Sequence, residues 1–246
     1  TQTMSEMKYD IQGNLLSQKI LTKDSSGQFL SDQTIVNTYG TTGTGRGKVI
    51  KQDITTRNAQ GSVTGTQTVE NTYDTRGNVT LSRVTSRPAN TSLPSSIQET
   101  VNTYDSATNA LTGSTVTVLS GGVTVKKTEN LFTNGVLSGR TETEYSNGTV
   151  VQETKALYLN SRGQPTSVEI TNKITGARSR RDFVYNTNGL ITAQTTYNNI
   201  GTSSQTTERH DYGYDSAGRI QSEDIYTNYG SSTQTLHRQL FRYEGG

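Results

Sequence analysis

A short sequence motif recurs along the entire chain at a nearly constant interval, and this repetition restricts the fold more than any other feature. The motif is an aromatic residue followed by Asp or Asn, with Gly three residues later, as in NTYDTRGNV (71–79) and YGYDSAGRI (212–220). Its aromatic anchors are Tyr9, Tyr39, Tyr73, Tyr104, Phe132, Tyr158, Tyr185, Tyr214 and Tyr243. Their mean interval of about 29 residues predicts an array of like supersecondary units.

The polar residue and the glycine of the motif predict a tight corner between two strands. Asp or Asn at the first position of a type I turn accepts a hydrogen bond from the backbone two residues on, and Gly at the fourth position adopts a positive φ. We assign to these corners Tyr9, Asp10, Gly13, Tyr73, Asp74, Gly77, Tyr104, Asp105, Tyr185, Asn186, Gly189, Tyr214, Asp215 and Gly218. The Phe132 copy, FTNG, contains the Asn-Gly pair of a primed turn, whereas the Tyr39 and Tyr104 copies depart from the motif and predict looser corners.

A second turn signal follows each corner by about half a repeat. Glycines mark most of these turns, at Gly27, Gly61, Gly121, Gly122, Gly148, Gly176, Gly201 and Gly230. Each unit is therefore strand, turn, strand, turn. We predict an all-β fold, a repetitive antiparallel β-hairpin meander of about 16–17 strands that forms one elongated curved or coiled sheet with almost no helix. Residues 1–246 are expected to form a single array of about eight hairpin units.

The strands of this array have little apolar material with which to build an interior. Only 28% of the residues are hydrophobic, whereas ordinary globular domains have about 45–50% by a count that includes Gly. Alternate residues of the incoming strands, such as Asn71 and Tyr73, share one face, and the other face is mostly Thr, Ser, Gln, Lys and Glu. We therefore expect Tyr73 and Tyr214 to pack near the aliphatic residues Val79 and Ile220 on the more buried face, with their hydroxyls in water.

Charge and hydropathy exclude several classes of partner. Lys and Arg exceed Asp and Glu by 23 to 21, which is too small a surplus for a nucleic-acid-binding surface. No apolar run is long enough for membrane insertion. The first ten residues, TQTMSEMKYD, lack the basic and apolar regions of a signal peptide. The basic residues Arg178, Arg180 and Arg181 are interpreted as a solvated strand face.

Candidate chemical sites in the sequence have simpler structural explanations. The aspartates Asp10, Asp74, Asp105 and Asp215 could act as calcium ligands, but each corner offers one carboxylate, and turn formation accounts for it. His210 and His237 could face each other on adjacent strands as a metal pair, but no third ligand stands out. The segment TGTGRG (42–47) lacks the end of a phosphate-binding loop. We therefore predict no catalytic, cofactor-binding or metal residue.

The corner motif resembles the Rhs/YD (tyrosine-aspartate) repeats, with a longer period of about 29 residues. The pattern of Tyr-Asp, Gly, a basic residue and an aliphatic residue is matched in full by Tyr214, Asp215, Gly218, Arg219 and Ile220. Tyr73, Asp74, Gly77 and Val79 match with Asn78 in the basic place, as do Tyr9, Asp10, Gly13 and Leu15 with Asn14. The resemblance implies a long antiparallel sheet of hairpins, as in bacterial surface and secreted proteins. Some of these form a hollow shell around a toxin, and others are associated with carbohydrate or cell contact.

Three functional hypotheses follow. The first is a non-enzymatic structural repeat protein, an extracellular or cell-surface scaffold or filament subunit that self-associates through its sheet edges. The second is a carbohydrate-binding or adhesion module that uses exposed Tyr and Asn side chains to bind glycans. The third is a fragment of an Rhs-type toxin-enclosing shell. No cofactor, nucleic acid or membrane insertion is expected in any of them.

Overall fold

The computed structural model describes residues 1–89 and 94–243, with the side chains of all of these except residues 157 and 158. Within that part, the secondary structure consists of seventeen strands and one short 3₁₀ turn, Gly43–Gly45. The strands follow one another as an antiparallel meander. The predicted all-β hairpin meander of 16–17 strands with almost no helix is thus confirmed. No helix in the described residues is both long and apolar enough to cross a membrane.

The chain divides into two compact units, Thr1–Lys127 (unit 1) and Thr128–Gly246 (unit 2), and the boundary between them falls within strand β9. The strands up to this boundary are β1 (Gln2–Tyr9), β2 (Leu15–Lys23), β3 (Phe29–Tyr39), β4 (Val49–Asn58), β5 (Val63–Tyr73), β6 (Val79–Pro88), β7 (Ser96–Tyr104), β8 (Leu111–Ser120) and β9 (Val123–Thr133). The single array over residues 1–246 stays a prediction.

Unit 2 continues the same alternation of strands and turns. Its strands after β9 are β10 (Val136–Ser146), β11 (Thr149–Leu159), β12 (Pro165–Asn172), β13 (Arg178–Tyr185), β14 (Ile191–Asn198), β15 (Thr206–Tyr214), β16 (Ile220–Thr227) and β17 (Thr235–Leu240). The ladders within each unit join strands that are consecutive in the sequence, as expected when short turns connect antiparallel neighbours.

Each ladder that ends at a corner tyrosine carries a β-bulge at that end. In the pairing of β5 with β6, Thr72 is opposite Leu81, but Tyr73 is opposite Val79, so that Thr80 is an extra residue. The same one-residue shift occurs beside Tyr9, Tyr39, Tyr104, Tyr185 and Tyr214. A bulge bends its strand and increases the local twist. Each corner is therefore a hairpin loop and a bulge acting together.

The sheet of each unit is thin, as the low apolar content predicts. In the described residues of each unit, the strands contact the strands before and after them, without a second layer of secondary structure. Among residues whose burial is described, Ala193 (5% exposed) is the buried hydrophobic residue, and the buried polar residues are Asp32, Thr85, Thr143, Ser167 and Thr195. The corner residues Tyr39, Tyr73, Tyr104, Tyr185 and Tyr214 are half-buried. Stability therefore depends on ladders and cross-strand side-chain contacts rather than on a thick core.

Candidate functional site

The repeated corners are closed by the side chain of their own first residue. At Asp74, Oδ1 accepts hydrogen bonds from the amides of Arg76 (2.9 Å) and Asn78 (2.8 Å). The amide of Gly77 donates to the carbonyl of Asp74 at 3.1 Å, and Gly77 has a φ of +90°. Only glycine adopts this φ without strain. The aspartate and the glycine thus have complementary roles in one turn.

Other corners have the same geometry whether the first residue is Asp or Asn. At Asp215, Oδ1 accepts from the amides of Ala217 and Arg219, both at 2.9 Å. Five further loops share these two bonds, beginning at Asp10, Asp24, Asn58, Asn160 and Asn186. Two of them, at Asp24 and Asn58, lie in the second turn of a repeat. These two loops were not predicted as corners, although the sequence there contains D-x-x-G and N-x-x-G.

Hydrogen bonds to the corner carboxylates favour their charged form. The pKa of Asp74 is lowered, chiefly by the side-chain amide of Asn78, which donates to Oδ2 at 2.8 Å. The pKa of Asp215 is lowered first by the backbone amide of Arg219, whose side chain also bonds Oδ2 at 2.8 Å. In both corners the carboxylate oxygens are occupied by groups of the same loop. They are bonded within their turns rather than directed at an ion.

The three remaining kinds of corner differ in loop length. At Asp105, the carboxylate accepts from the amides of Ala107 and Thr108, and Asn109 takes the positive φ of +62°. The corner after Tyr39 is longer and holds the 3₁₀ turn Gly43–Gly45. The turn after Phe132 has φ values of +52° at Asn134 and +76° at Gly135, as in a type I′ turn.

The hydroxyls of the corner tyrosines bind backbone carbonyls of the preceding strand. We call each such bond a tyrosine latch. Six latches are described: Tyr39 to Leu15 (3.1 Å), Tyr73 to Val49 (2.7 Å), Tyr104 to Val79 (3.1 Å), Tyr185 to Pro165 (2.7 Å), Tyr214 to Ile191 (2.6 Å) and Tyr243 to Ile220 (2.8 Å). The hydroxyls of Tyr73 and Tyr214 were expected to lie in water, and their bonds to the carbonyls of Val49 and Ile191 were not predicted. A hydroxyl at this position can replace a missing ladder bond, and a thin sheet leaves carbonyls that need one.

All six latches occupy the same place relative to the ladder. The pairing of β6 with β7 ends at Leu81 and Val101, and Tyr104, three residues beyond Val101, bonds the carbonyl two residues before Leu81. The other five latches have the same offsets from the last pair. The tyrosine therefore continues the ladder where the backbones no longer pair. The ring itself lies beside the aliphatic residue after its own corner, since Val79 is the cross-strand partner of Tyr73.

Two anchors with described side chains, Tyr9 and Phe132, lack this contact. The Tyr9 side chain is 56% exposed, and its hydroxyl contacts the sulfur of Met7 at 3.4 Å on the same strand. Phe132 has no hydroxyl. The Tyr158 side chain lies outside the described residues.

In unit 1, an asparagine side chain also donates a hydrogen bond to each latch carbonyl. The tripeptide Asn-Thr-Tyr ends strands β3, β5 and β7. Its asparagine donates to the same carbonyl as its tyrosine, from Asn37 to Leu15 at 2.8 Å, from Asn71 to Val49 at 3.4 Å and from Asn102 to Val79 at 3.0 Å. The alternation of β5 predicts that Asn71 lies on the tyrosine face, but this hydrogen bond was not predicted. The three exact copies of Asn-Thr-Tyr in the sequence are the feature that could have indicated this bond.

In the three described latches of unit 2, the residue at the asparagine position is aromatic. The pairs are Phe183 with Tyr185, Tyr212 with Tyr214, and Phe241 with Tyr243. The rings of Phe183 and Tyr185 have centroids 6.3 Å apart. Burial raises the pKa values of Tyr185 and Tyr214, which keeps both hydroxyls protonated as donors.

Successive corners also contact one another through long polar side chains. The ammonium of Lys48 donates to the carbonyl of Gly77 at 3.0 Å and lies 5.1 Å from the centre of the Tyr73 ring. In unit 2, the amide of Gln164 donates to the carbonyl of Gly189 at 3.0 Å. Arg76 and Arg162 likewise donate to the carbonyls of Ser106 and Thr187. The cation–π and hydrogen-bond contacts join one corner to the next.

The one histidine with close polar partners lies on the tyrosine face of unit 2. His210 contacts Glu223 through Nδ1 and Glu208 through Nε2, both at 2.6 Å. Burial lowers the pKa of His210, but the two carboxylates outweigh this, and the net shift is upward. The idea of a histidine pair on adjacent strands was wrong, because Ile225 of β16 lies between His210 and His237. Among described residues, no group of three or more His, Cys, Asp or Glu could hold a metal ion.

The basic cluster near residue 180 is divided by the alternation of β13. Arg178 forms two bonds to Glu169 at 2.9 and 3.0 Å, and Arg180 lies 3.0 Å from Asp182 and over the Tyr197 ring at 4.5 Å. Arg181 belongs to the other face of the strand. Arg178 and Arg180 therefore have partners within the sheet.

Comparisons with known proteins place this chain near no named family. No family model matches it, and no curated protein matches it. Among solved structures, it is similar to "Crystal Structure of TcdB2-TccC3-Cdc42" (17% identity, TM-score 0.28, 99% of this chain and 14% of that chain). It is also similar to "Crystal Structure of TcdB2-TccC3" (14%, 0.29, 99% and 16%) and to a porin-like protein from Bacteroides uniformis ATCC 8492 (10%, 0.27, 90% and 88%).

The chain thus spans less than a fifth of the length of the TcdB2-TccC3 chains it matches. Membership of the Rhs/YD-repeat family stays a prediction from the motif.

Proposed function

We propose that this chain is a non-enzymatic structural repeat module that serves as a scaffold or filament subunit outside the cell or at its surface. The observation that carries the proposal is that the repeated residues are used by the fold itself. The tyrosine hydroxyls donate to backbone carbonyls, and the corner carboxylates accept from the amides of their own loops, as in the Tyr104 latch and the Asp74 corner. Residues that recur because a repeat needs them are structural rather than catalytic.

The distribution of contacts supports a load-bearing array. Within each unit, the strands contact their sequence neighbours. Latches join the two strands on either side of a second turn, and side chains such as Lys48 join one corner to the next. Stability in such arrays is close to a sum of terms for repeats and their interfaces. A module of this kind gains length by adding repeats and needs no central site.

Deletion of one complete repeat tests the proposal. Removal of residues 186–214 joins Tyr185 to Asp215 and preserves strand direction and the corner motif. We expect a folded β protein whose urea m-value is reduced in proportion to the lost surface. Circular dichroism and urea unfolding measure both properties.

A matched control deletes an incomplete repeat. Removal of residues 186–198 takes away one corner and strand β14, which reverses the direction of every later strand. We expect this variant to lose cooperative unfolding. The proposal fails if the complete-repeat deletion is as disruptive as the control.

The glycan-binding alternative stays a prediction. The tyrosine rings are less open as stacking platforms than the sequence suggested, because Lys48 lies over Tyr73 and Arg219 lies over Tyr243, the latter at 4.6 Å. A glycan array probed with the purified chain tests this alternative directly. The shell-fragment hypothesis likewise stays a prediction.

A further inference from the structure

One corner of unit 2 has a leucine where the latched corners have a tyrosine. In the ladder of β11 with β12, Leu159 is opposite Pro165 at the corner end. In the next corner along the chain, Tyr185 is opposite Ile191 in the same place. The register therefore puts Leu159, rather than Tyr158, at the latch position. Leucine has no hydroxyl and no ring, so that position 159 supplies neither the hydrogen bond nor the ring of a latch.

The side chain that supports a latch is also truncated at this corner. In the ladder of β13 with β14, the supporting residue Phe183 is opposite Gln194, three residues after the partner of the tyrosine. In the ladder of β11 with β12, Ala156 is opposite Val168, again three residues after the partner of the latch position. Ala156 therefore takes the place that Phe183 has in the next corner. Two large side chains are thus replaced by smaller ones in one corner.

A cavity of about 220 Å³ lies at this corner. The two truncated residues line it, together with Leu137, Pro165 and Val168. Val168 is opposite Arg181, which alternates with Phe183 along β13, so that the cavity opens on the tyrosine face. The cavity therefore lies where the described latches of unit 2 place aromatic rings.

The size and the wall of the cavity indicate the chemistry of a ligand. An apolar engineered cavity of about 150 Å³ takes up benzene, whereas pockets for drug-sized ligands have about 300–1,000 Å³. The cavity at this corner thus has room for a single ring. Its wall also includes the polar residues Arg140, Glu142 and Thr154. A ring that carries a hydroxyl matches this mixed wall better than a hydrocarbon ring does.

We propose that this corner is a binding site for a small monocyclic phenol. Such a ligand would supply from solution the ring and the hydroxyl that a tyrosine supplies elsewhere in unit 2. The protein itself indicates the occupant, because Phe183 and Tyr185 fill the equivalent place with two rings whose centroids are 6.3 Å apart. The inference goes beyond the scaffold role and does not depend on it.

Titration of the full chain with p-cresol, followed by amide NMR spectra, tests the proposal. p-Cresol has the ring, the hydroxyl and the β-carbon of a tyrosine side chain. We expect saturable shift changes confined to β10, β11 and β12, with a Kd of about 1 mM or below. Toluene lacks the hydroxyl and should bind about fivefold more weakly or worse, because one hydrogen bond is lost.

Two variants fill the cavity from different positions. Leu159→Tyr restores the latch residue and should weaken p-cresol binding at least about tenfold, because the new ring occupies the site. Ala156→Phe should have the same effect from the supporting position, so that the test does not depend on the folding of one variant. Leu236→Tyr is the matched control, since it makes the same substitution at a position of β17 that is 54% exposed, and it should leave binding unchanged. Circular dichroism confirms that each variant is folded.

Three results would overturn this inference. The first is the absence of saturable p-cresol binding to the parent chain, and the second is binding that Leu159→Tyr and Ala156→Phe leave unchanged. The third is equal affinity for toluene and p-cresol, which would make the site a hydrocarbon cavity rather than a phenol site. None of these results bears on the repeat-deletion experiment, which removes residues 186–214 and leaves β10, β11 and β12 intact.

Discussion

The two units form the same latch with different neighbouring side chains. In unit 1 the carbonyl of Val79 receives both the Tyr104 hydroxyl and the Asn102 amide, whereas in unit 2 the carbonyl of Ile191 receives the Tyr214 hydroxyl. At the asparagine position, unit 2 has Tyr212. One unit therefore adds a hydrogen-bond donor, and the other adds ring surface. The hydrogen bond from tyrosine to carbonyl is thus the same in both units, whereas the side chain that supports it differs.

The corner glycines provide the largest expected difference between the units. Gly77→Val and Gly218→Val both place a branched residue at positive φ, near +90° and +78°, which costs about 1–3 kcal/mol of unfolding free energy. At Gly77, a Cβ would also meet the Lys48 ammonium, whereas at Gly218 the nearest atom is Leu190 Cδ1 at 3.6 Å. Urea unfolding should show the greater loss for Gly77→Val. A greater loss for Gly218→Val would contradict the role of Lys48.

Removal of one latch hydroxyl tests the comparison directly. Tyr214→Phe leaves the Ile191 carbonyl without its hydroxyl donor and should cost about 1–2 kcal/mol. Tyr104→Phe should cost less, about 0.5–1 kcal/mol, because Asn102 continues to donate to Val79 at 3.0 Å. Hydrogen exchange of amides near each latch, together with urea unfolding, measures both losses.

A double mutant tests whether Asn102 compensates for the loss of the Tyr104 hydroxyl. Combining Tyr104→Phe with Asn102→Ala should cost more than the sum of the two single changes, because the second donor compensates for the first. Additive losses would show that Asn102 and Tyr104 do not share the Val79 carbonyl in solution.

A pH dependence should separate the units, because the sequence has no histidine in unit 1. Burial lowers the pKa of His210, but contacts with Glu208 and Glu223 raise it by more. The Tyr212 ring is stacked on His210 with centroids 6.2 Å apart. His237 lies on β17, with Ile225 of β16 between the two histidines. The contribution of protonated His210 to the free energy of unfolding is fully present below about pH 6.5, and it is lost as pH rises through the raised pKa.

Hydrogen exchange resolved by segment measures this dependence. Protection of β15 and β16 should fall over that pH range relative to the strands of unit 1, after correction for the intrinsic exchange rate. His210→Gln should remove the difference. A pH dependence that persists in His210→Gln would assign the effect to another group.

The smallest effects are expected for conservative changes at the corner carboxylates. Asp74→Asn and Asp215→Asn keep the oxygen that accepts the two loop amides, as Asn186 does naturally. Each should cost less than the valine change at the glycine of the same corner. The lowered aspartate pKa values stabilise the fold above about pH 3.9, and this contribution is lost as pH falls through the lowered values. Acid unfolding of the Asn variants should show a weaker pH dependence.

The sequence predicted the architecture because the signals that determine it are local. A turn such as Asp74–Gly77 is specified by residues within one loop, and alternation along β5 is specified by residues within one strand. The latch carbonyls were not predicted, since Val79 and Tyr104 are 25 residues apart and their contact depends on where the ladder stops. The His210 cluster was missed for the same reason, because Glu223 lies on the next strand.

Each latch closes the open end of a hairpin whose other end is closed by its second turn. Residues 79 to 104 hold one such pair of strands, with residues 89–95 between β6 and β7 and the bond from Tyr104 to Val79 at the far end. A hairpin fastened at both ends does not rely on a short turn to set its register. Foreign peptides inserted into the second turns, between Pro88 and Ser96 for example, should therefore be accommodated without strand slippage, which makes this edge a natural grafting site.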